Sequence, residues 1–168
     1  HSIITAIAGG ASRLNEIATK TGLASSGCSA QIQSLITLGI IKKETPLTEG
    51  IKSRKTLYTL EDFMFLFWYR FVRTNLRGIM RGIGETIYEV SVKPQISHFM
   101  GYIFEEICKQ YLYLPQIYMT LPFPTGEFGR WWGNNPKKKR QEEIDLMAEN
   151  GSEAIFGECK WRNEPADV

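Results

Sequence analysis

Near the end of the chain, three residues have the types and spacing that metal-dependent hydrolysis of a phosphodiester requires. They are Asp145 and, further along, the two charged residues of Glu158-Cys159-Lys160. Two carboxylates on one surface can jointly hold Mg²⁺, a cation that prefers oxygen ligands. A neighbouring Lys can lower the pKa of the attacking water or stabilise negative charge in the transition state. The sequence therefore indicates a candidate catalytic group of Asp145, Glu158 and Lys160, with Mg²⁺ as its cofactor.

A β-hairpin is expected to bring these side chains together. Residues 143–148 and 154–161 read as strands that flank Asn150-Gly151. This dipeptide is the one best suited to a two-residue type I′ turn. With that turn, Glu149 pairs with Ser152, and the register of the hairpin can be counted outward from this pair.

The register decides which side chains share a face of the hairpin. Counting from the predicted turn places Asp145 opposite Phe156. Opposed residues share a face, and so do alternate residues of one strand, so Asp145, Glu158 and Lys160 are predicted to lie together. A three-residue turn would instead shift the register by one and move Asp145 to the other face.

A helix predicted from about Ile96 to Leu112 carries a further candidate ligand. Its apolar stripe includes Phe104 and Cys108, and Glu105 borders that stripe. If the helix packs against the hairpin, Glu105 adds a third carboxylate and the carbonyl of Cys159 adds another oxygen. The competing interpretation is an ordinary ion pair on a solvated face, because Glu-x-Lys alone is a common pattern.

The first part of the chain has the pattern of a winged helix. Three short segments show helical spacing of apolar residues, with Ser12, and then Ser25 or Ser26, as expected N-caps. Two strands, 40–43 and 57–60, then flank a polar loop. The apolar positions of the three helices are Ile3, Ile4, Ile7 and Ala8, then Leu14, Ile17 and Ala18, then Cys28, Ile32, Leu35 and Ile36. Helix, helix, turn, helix and hairpin is the order of a winged helix-turn-helix module.

This module offers two surfaces to DNA. The free N-terminal half of the third helix is predicted to present small or polar residues, namely Ser26, Gly27, Ser29 and Gln33. Small side chains permit close approach to a groove. The loop between the strands carries three cations that can neutralise phosphates, namely Lys52, Arg54 and Lys55. DNA is therefore the expected partner, with protein docking as the alternative role of such a module.

Charge, cysteine content and apolar runs indicate which partners and which cellular compartment to expect. Residues 1–60 hold seven Lys/Arg against three Asp/Glu, whereas residues 61–168 hold thirteen against fifteen. This asymmetry suits a polyanionic partner for residues 1–60 and a bound cation in residues 61–168. The three cysteines, Cys28, Cys108 and Cys159, form no C-x-x-C pair and fit a reducing, cytoplasmic setting. No apolar run approaches the length of a membrane span, so no membrane partner is expected.

Residues 61–94 are expected to form a helical linker. Residues 63–72 are apolar nearly all round, which predicts a helix buried on several sides. Residues 73–84 are rich in Arg and Gly and are predicted to form a loop. A short helix is predicted from Thr86 to Val92, with Pro94 ending it.

Seven motifs are spread along the chain: Ile7-Ala8-x-Gly10, Leu14-Asn15-Glu16-Ile17-Ala18, Phe67-Trp68-Tyr69-Arg70-Phe71-Val72, Gly101-x-x-Phe104-Glu105-Glu106, Trp131-Trp132-Gly133, Glu143-Ile144-Asp145 and Gly157-Glu158-Cys159-Lys160-Trp161. Together they resemble the C-terminal region of archaeal-type AAA+ ATPases. The resemblance covers nearly the whole chain. It implies a winged helix followed by a domain similar to the PD-(D/E)xK, restriction-endonuclease-like fold. The active-site positions that it implies are Glu105, Asp145, Glu158 and Lys160.

The expected fold class is α+β, with an N-terminal winged helix-turn-helix before a restriction-endonuclease-like α/β core. We expect the winged helix in residues 1–60, the linker in 61–94 and the nuclease-like domain in 95–168, its first strand at 128–132. That fold normally continues with a helix and a strand after Glu-x-Lys, so the core is expected to be incomplete. An open sheet edge would favour a homo-oligomer. No G-x-x-x-x-G-K-[ST] motif is present, so ATP binding is assigned to an N-terminal ATPase domain of a longer protein.

Two functions remain open from the sequence. The leading hypothesis is a DNA-binding, nuclease-like part of an AAA+ ATPase, with Mg²⁺ held by Asp145, Glu158 and Glu105, and with Lys160 as the catalytic cation. The alternative is a non-catalytic module that recruits DNA or a protein to the ATPase. The two hypotheses differ in whether the three carboxylates converge within metal-coordination distance.

Overall fold

A computed structural model describes residues 2–50 and 53–162 of the chain. The fold is mixed α+β, with two small antiparallel sheets. The chain forms two compact units, one of His1–Glu44 with Arg54–Pro94 and one of Thr45–Ser53 with Gln95–Val168. Lys52, one of the predicted loop cations, lies outside the described residues. Among the described helices, none combines the length and the apolar character needed to cross a membrane.

The first unit begins with the three helices and the two strands that the sequence predicts. These elements are α1 (Ile3–Ala8), α2 (Leu14–Thr21), α3 (Ser25–Thr37), β1 (Ile41–Glu44) and β2 (Leu57–Leu60). The strands pair antiparallel, with Ile41 opposite Leu60. Ile17, Cys28 and Ile32 are buried, as their helical spacing predicts. The order and type of these elements are therefore confirmed.

The caps of α2 and α3 differ from the prediction. Arg13, not Ser12, is the N-cap of α2. The carboxylate of Glu16 accepts hydrogen bonds from the backbone N–H groups of Ser12 at 3.0 Å and Arg13 at 3.1 Å, which satisfies donors that the first turn leaves unpaired. These bonds lower the pKa of Glu16, the one from Ser12 most strongly. Helix α3 starts after Ala24 without a side-chain cap, so the expected serine cap is wrong.

Two helical segments follow β2, and the second continues past Pro94, where the first unit ends. Residues 63–80 contain α4 (Phe63–Phe67), a π-helical turn (Trp68–Val72) and α5 (Arg73–Met80); residues 84–112 contain α6 (Gly84–Ile87), a π-helical turn (Tyr88–Val92) and α7 (Lys93–Leu112). The predicted loop at 73–84 is therefore wrong over most of its length. Pro94 does not break the second segment either. The wider π-helical turn directly before it accommodates a ring that has no N–H to donate.

The apolar segment 63–72, which contains α4 and the π-helical turn after it, is less buried than its sequence predicts. Leu66 and Phe71 are buried, but Met64 is 69% exposed, Phe65 47% and Trp68 40%. The expectation of a helix enclosed on several sides is therefore wrong for this chain. Apolar periodicity identifies residues able to lie in a core, and it does not establish what covers them.

The second unit contains most of α7, a short helix α8 (Pro115–Tyr118) and a sheet of β3 (Gly129–Asn135), β4 (Arg140–Glu149) and β5 (Ala154–Gly157), in the order β3-β4-β5. All three strands are antiparallel to their neighbours. Segment Thr45–Ser53, which connects β1 to β2, belongs to this unit. The Leu47 N–H donates to the carbonyl of Arg130 at 2.9 Å, and the Trp131 indole donates to the Thr48 hydroxyl at 3.1 Å. Leu47 and Thr48 of this segment thus lie against β3.

Candidate functional site

The turn between β4 and β5 has four residues, Asn150–Glu153, so the predicted two-residue type I′ turn is wrong. The Asn150 side-chain oxygen accepts hydrogen bonds from the backbone N–H groups of Ser152 at 3.1 Å and Glu153 at 2.9 Å. Gly151 takes a positive φ of 90°. An Asn side chain that bonds its own backbone in this way stabilises a longer turn.

The longer turn moves the register by two residues. Met147 pairs with Phe156 and Leu146 pairs with Gly157, where β5 ends. If this register continued one residue beyond the last pair, Asp145 would lie opposite Glu158 instead of Phe156. A shift of two preserves the face on which each side chain lies. The predicted pairing of Asp145 with Phe156 is therefore wrong, and the predicted strand to Trp161 ends at Gly157.

Asp145 holds the segment that follows β5. Its carboxylate accepts a hydrogen bond from the backbone N–H of Cys159 at 2.8 Å. Because β5 ends at Gly157, this N–H has no partner in the ladder, and a charged acceptor gives a strong bond. Asp145 thus has a structural role that the sequence did not predict.

Lys160 and Glu158 form an ion pair on the surface. The Lys160 ammonium donates to the Glu158 carboxylate, and the two side chains are 52% and 58% exposed. This hydrogen bond raises the pKa of Lys160, and the negative charge of Glu158 acts in the same direction. Both side chains are thus engaged with each other in the arrangement that the structure describes.

Glu105 lies beside Arg130, a cation that the sequence pattern did not indicate as part of the site. The Arg130 guanidinium is 3.5 Å from the Glu105 carboxylate and also pairs with Glu143. Arg130 and Glu105 are only 22% and 23% exposed. One feature of the sequence could have indicated this ion pair. Arg130 stands inside a predicted strand next to Trp131 and Trp132, and a half-buried charge requires a partner.

Two thiols also meet in this region. The Phe104 ring of α7 lies 5.5 Å from the Trp161 ring, between centroids. Cys108 is one helical turn beyond Phe104, and Cys159 is two residues before Trp161. Burial raises the pKa of the Cys159 thiol to about 12, and a hydrogen bond with Cys108 acts in the same direction. Cys159 is therefore protonated at neutral pH and is not an activated nucleophile.

These residues do not fit a three-carboxylate Mg²⁺ site as they stand. Within residues 2–50 and 53–162, no group of three or more His, Cys, Asp or Glu side chains is spaced to hold a metal ion. Glu105 pairs with Arg130, and Glu158 pairs with Lys160. The β4–β5 ladder ends with Leu146 opposite Gly157, one residue before Glu158, and Asp145 accepts the Cys159 N–H.

The proposed DNA-facing residues of the first unit lie at the surface. Ser26, Gly27, Ser29 and Gln33 are all exposed on α3, while Cys28 and Ile32 of the same helix are buried. No acidic or basic side chain occurs in α3. Of the loop cations that the structure describes, Arg54 and Lys55 are both exposed. The face of α3 predicted from helical spacing is thus confirmed as an exposed polar surface.

Comparison with known proteins gives two matches. A family of archaeal and bacterial proteins of unknown function, DUF234, matches residues 68–168. An uncharacterized protein of Methanocaldococcus jannaschii is 34% identical over 163 residues, which are 96% of this chain and 35% of that protein. The chain therefore spans about a third of the length of this relative. No solved structure matches the chain.

Proposed function

We propose that this chain, which belongs to the DUF234 family of archaeal and bacterial proteins of unknown function, is a DNA-binding module of a longer protein. The observation that carries this proposal is the exposed polar face of α3. Ser26, Gly27 and Ser29 have short side chains or none, so the helix can approach the floor of a groove closely. A helix without carboxylates also presents nothing that repels phosphate.

The order of elements supports a winged helix-turn-helix as the architecture of this module. Helices α2 and α3 are joined by a short turn, and the β1–β2 hairpin follows. Arg54 and Lys55 are both exposed and belong to the same unit as α3, and in this proposal they supply the phosphate contacts. In this proposal the module follows an ATPase domain that would hold the ATP, as the resemblance to archaeal-type AAA+ ATPases implies.

The test is binding of a short DNA duplex by fluorescence anisotropy over a range of salt concentrations. Arg54→Ala/Lys55→Ala is expected to weaken binding about tenfold near 0.1 M salt and to reduce the salt slope by about 2. Arg77→Ala, which removes an exposed cation from α5, is the control. An unchanged slope in the double variant would contradict phosphate contact by these residues.

A second pair of variants tests α3 itself. Ser26→Glu places a carboxylate on the exposed N-terminal half of the helix, where we expect it to abolish duplex binding. Thr37→Glu adds the same charge at the other end of α3 and is expected to retain binding. Equal losses in both variants would mean that net charge, and not the α3 face, governs binding.

Hydrolysis of DNA is the second candidate function. It is supported by the β4–β5 register, which would set Asp145 opposite Glu158 if it continued one residue beyond Gly157, with Lys160 two residues further on. The test is calorimetric titration of wild type and Asp145→Ala with Mg²⁺ and with Mn²⁺. A binding signal that is lost in Asp145→Ala would support this function, whereas the same absence of heat in both proteins would remove it.

A further inference from the structure

The turn between β3 and β4 is the most strongly basic part of the chain. Residues 136–140 read Pro-Lys-Lys-Lys-Arg, and all of them are exposed. Residues 95–168 contain eight Lys/Arg and eleven Asp/Glu, and four of those eight cations lie in this one turn. In an otherwise acidic region, such a concentration creates a local positive potential and not a general basic character.

Two side chains give this turn a defined conformation. The Asn135 side-chain oxygen accepts hydrogen bonds from the backbone N–H groups of Lys137 at 3.0 Å and Lys138 at 3.1 Å. The Asn135 amide donates to the Glu142 carboxylate at 2.8 Å across the mouth of the turn. Lys139 occupies the left-handed region, with φ of 52°. The cations are thus presented by a structured hairpin end.

Two of the four cations form ion pairs with Glu142, and the other two do not. Its carboxylate pairs with Lys138 at 3.0 Å and with Arg140 at 3.3 Å. Lys137 and Lys139 form no ion pair with any residue in the described part of the chain, and both are exposed. Two cations therefore support the turn, and two are available to a ligand.

We propose that the β3–β4 turn, residues 136–140, binds the phosphate backbone of duplex DNA. A two-stranded β-ribbon fits the width of the major groove, with its turn leading. Unpaired Lys side chains at the tip neutralise phosphates without reading sequence. The turn carries no large apolar side chain to insert into lipid, which disfavours an anionic membrane as the partner.

The place of the turn in the sheet connects this surface to the candidate site. Arg140 begins β4, and Asp145 follows in the same strand, about 17 Å away at roughly 3.4 Å per residue. The other hairpin end, beyond Glu149, carries Glu153 and is acidic. DNA held at residues 136–140 would therefore approach the sheet from its basic end.

The experiment compares two variants of the full chain with equal loss of charge. Lys137→Gln/Lys139→Asn removes the two available cations, and Asn tolerates the left-handed conformation of residue 139. Lys93→Gln/Lys109→Gln removes two cations from α7 and is the control. We expect the first variant to bind a DNA duplex at least about tenfold more weakly, with a salt slope reduced by about 2. The control is expected to bind like wild type.

Several results would overturn the proposal. One is an unchanged affinity of the turn variant for the duplex, and another is an equal loss of duplex affinity in the α7 control. The third is a turn variant that loses binding only to vesicles of phosphatidylserine and phosphatidylcholine, and not to the duplex. This proposal concerns residues 136–140 and not α3 or the Arg54 and Lys55 cations, so the two proposals can be distinguished. If Arg54→Ala/Lys55→Ala loses binding and the turn variant does not, the turn proposal is wrong and the α3 proposal stands. If the turn variant loses binding and Arg54→Ala/Lys55→Ala does not, the α3 proposal is wrong and the turn proposal stands.

Discussion

The carboxylate of Asp145 accepts the backbone N–H of Cys159 at 2.8 Å, which ties the middle of β4 to the segment that follows β5. The residue that looked most like a metal ligand therefore already has a structural partner. The same bond explains how Cys159 is held against α7, where Cys108 lies. Asp145 thus links the hairpin to the segment that carries Glu158 and Lys160.

Replacing Asp145 is expected to destabilise the protein. Asp145→Ala leaves the Cys159 N–H without its acceptor, and loss of a hydrogen bond to a charged group costs about 1.5–3 kcal/mol. Asp145→Asn keeps a side-chain oxygen and should cost less. The free energy of unfolding in urea measures both changes. An Asp145→Ala variant as stable as wild type would show that the bond contributes nothing to the fold.

The pKa of Cys159 predicts an unusual dependence of its reactivity on pH. Burial, followed by the hydrogen bond with Cys108, raises the pKa to about 12 from its ordinary value of 9.0. Only the thiolate reacts with iodoacetamide, so the rate at Cys159 should still be rising tenfold per pH unit at pH 9.5. Site-resolved mass spectrometry measures that rate. A plateau below pH 10 in the folded protein would contradict the shift.

The same shift has a consequence for stability. The folded protein retains the Cys159 proton above pH 9, where the unfolded chain loses it. The free energy of unfolding contributed by this group is therefore constant below about pH 9 and falls as pH rises towards 12. Urea unfolding of wild type and Cys159→Ser at increasing pH measures the difference. A difference that does not change above pH 9 would contradict this sign.

The pKa of the Glu142 carboxyl is expected to lie well below that of an ordinary glutamate. The hydrogen bond from Asn135, followed by those from Lys138 and Arg140, lowers its pKa from 4.5 to about 2. The stabilisation that it gives the β3–β4 turn is present above pH 4.5 and is lost as pH falls towards 2. Carbon-detected NMR of the side-chain carboxyl follows this titration. Asn135→Ala should raise the midpoint, and Asn134→Ala, the adjacent control, should leave it unchanged.

Gly78 marks a close approach between α5 and α6. A Cβ at this position would lie 2.6 Å from Cδ1 of Ile87 and 3.3 Å from Cδ1 of Ile83. Both atoms end flexible side chains and can rotate away, and alanine gains about 1 kcal/mol of helix propensity over glycine. Gly78→Ala should therefore change the free energy of unfolding by less than about 1 kcal/mol. Gly78→Val adds branching and should cost about 1–3 kcal/mol. Equal stability of the two variants would contradict close packing here.

The sequence predicted the first unit well because its signals are local. Helical spacing and glycine at Gly22 and Gly39 identify three helices, and both glycines take the positive φ that such ends require. The buried and exposed faces of α3 follow from the same spacing. The predicted Ser12 cap of α2 was wrong because the helix begins after Arg13, where the Glu16 carboxylate reaches back to the backbone N–H groups of Ser12 and Arg13.

The site was harder to predict because its geometry depends on one side chain in a turn. Asn150 bonds the backbone of Ser152 and Glu153 and so lengthens the turn that Asn-Gly ordinarily closes in two residues. The partners of the charged residues were missed for another reason. Which cation meets Glu105 depends on the packing of α7 against β3, and tertiary contacts of this kind have no local sequence signal.

Binding of duplex DNA with and without a divalent cation tests the proposed function most directly. We expect wild type to bind the duplex in EDTA at least as well as in Mg²⁺, because α3 and the exposed cations need no metal to contact DNA and Mg²⁺ competes with them for phosphate. Ser26→Glu is expected to abolish that binding in both buffers. Failure of wild type to bind in either buffer, or binding that appears only with Mg²⁺, would contradict the proposal.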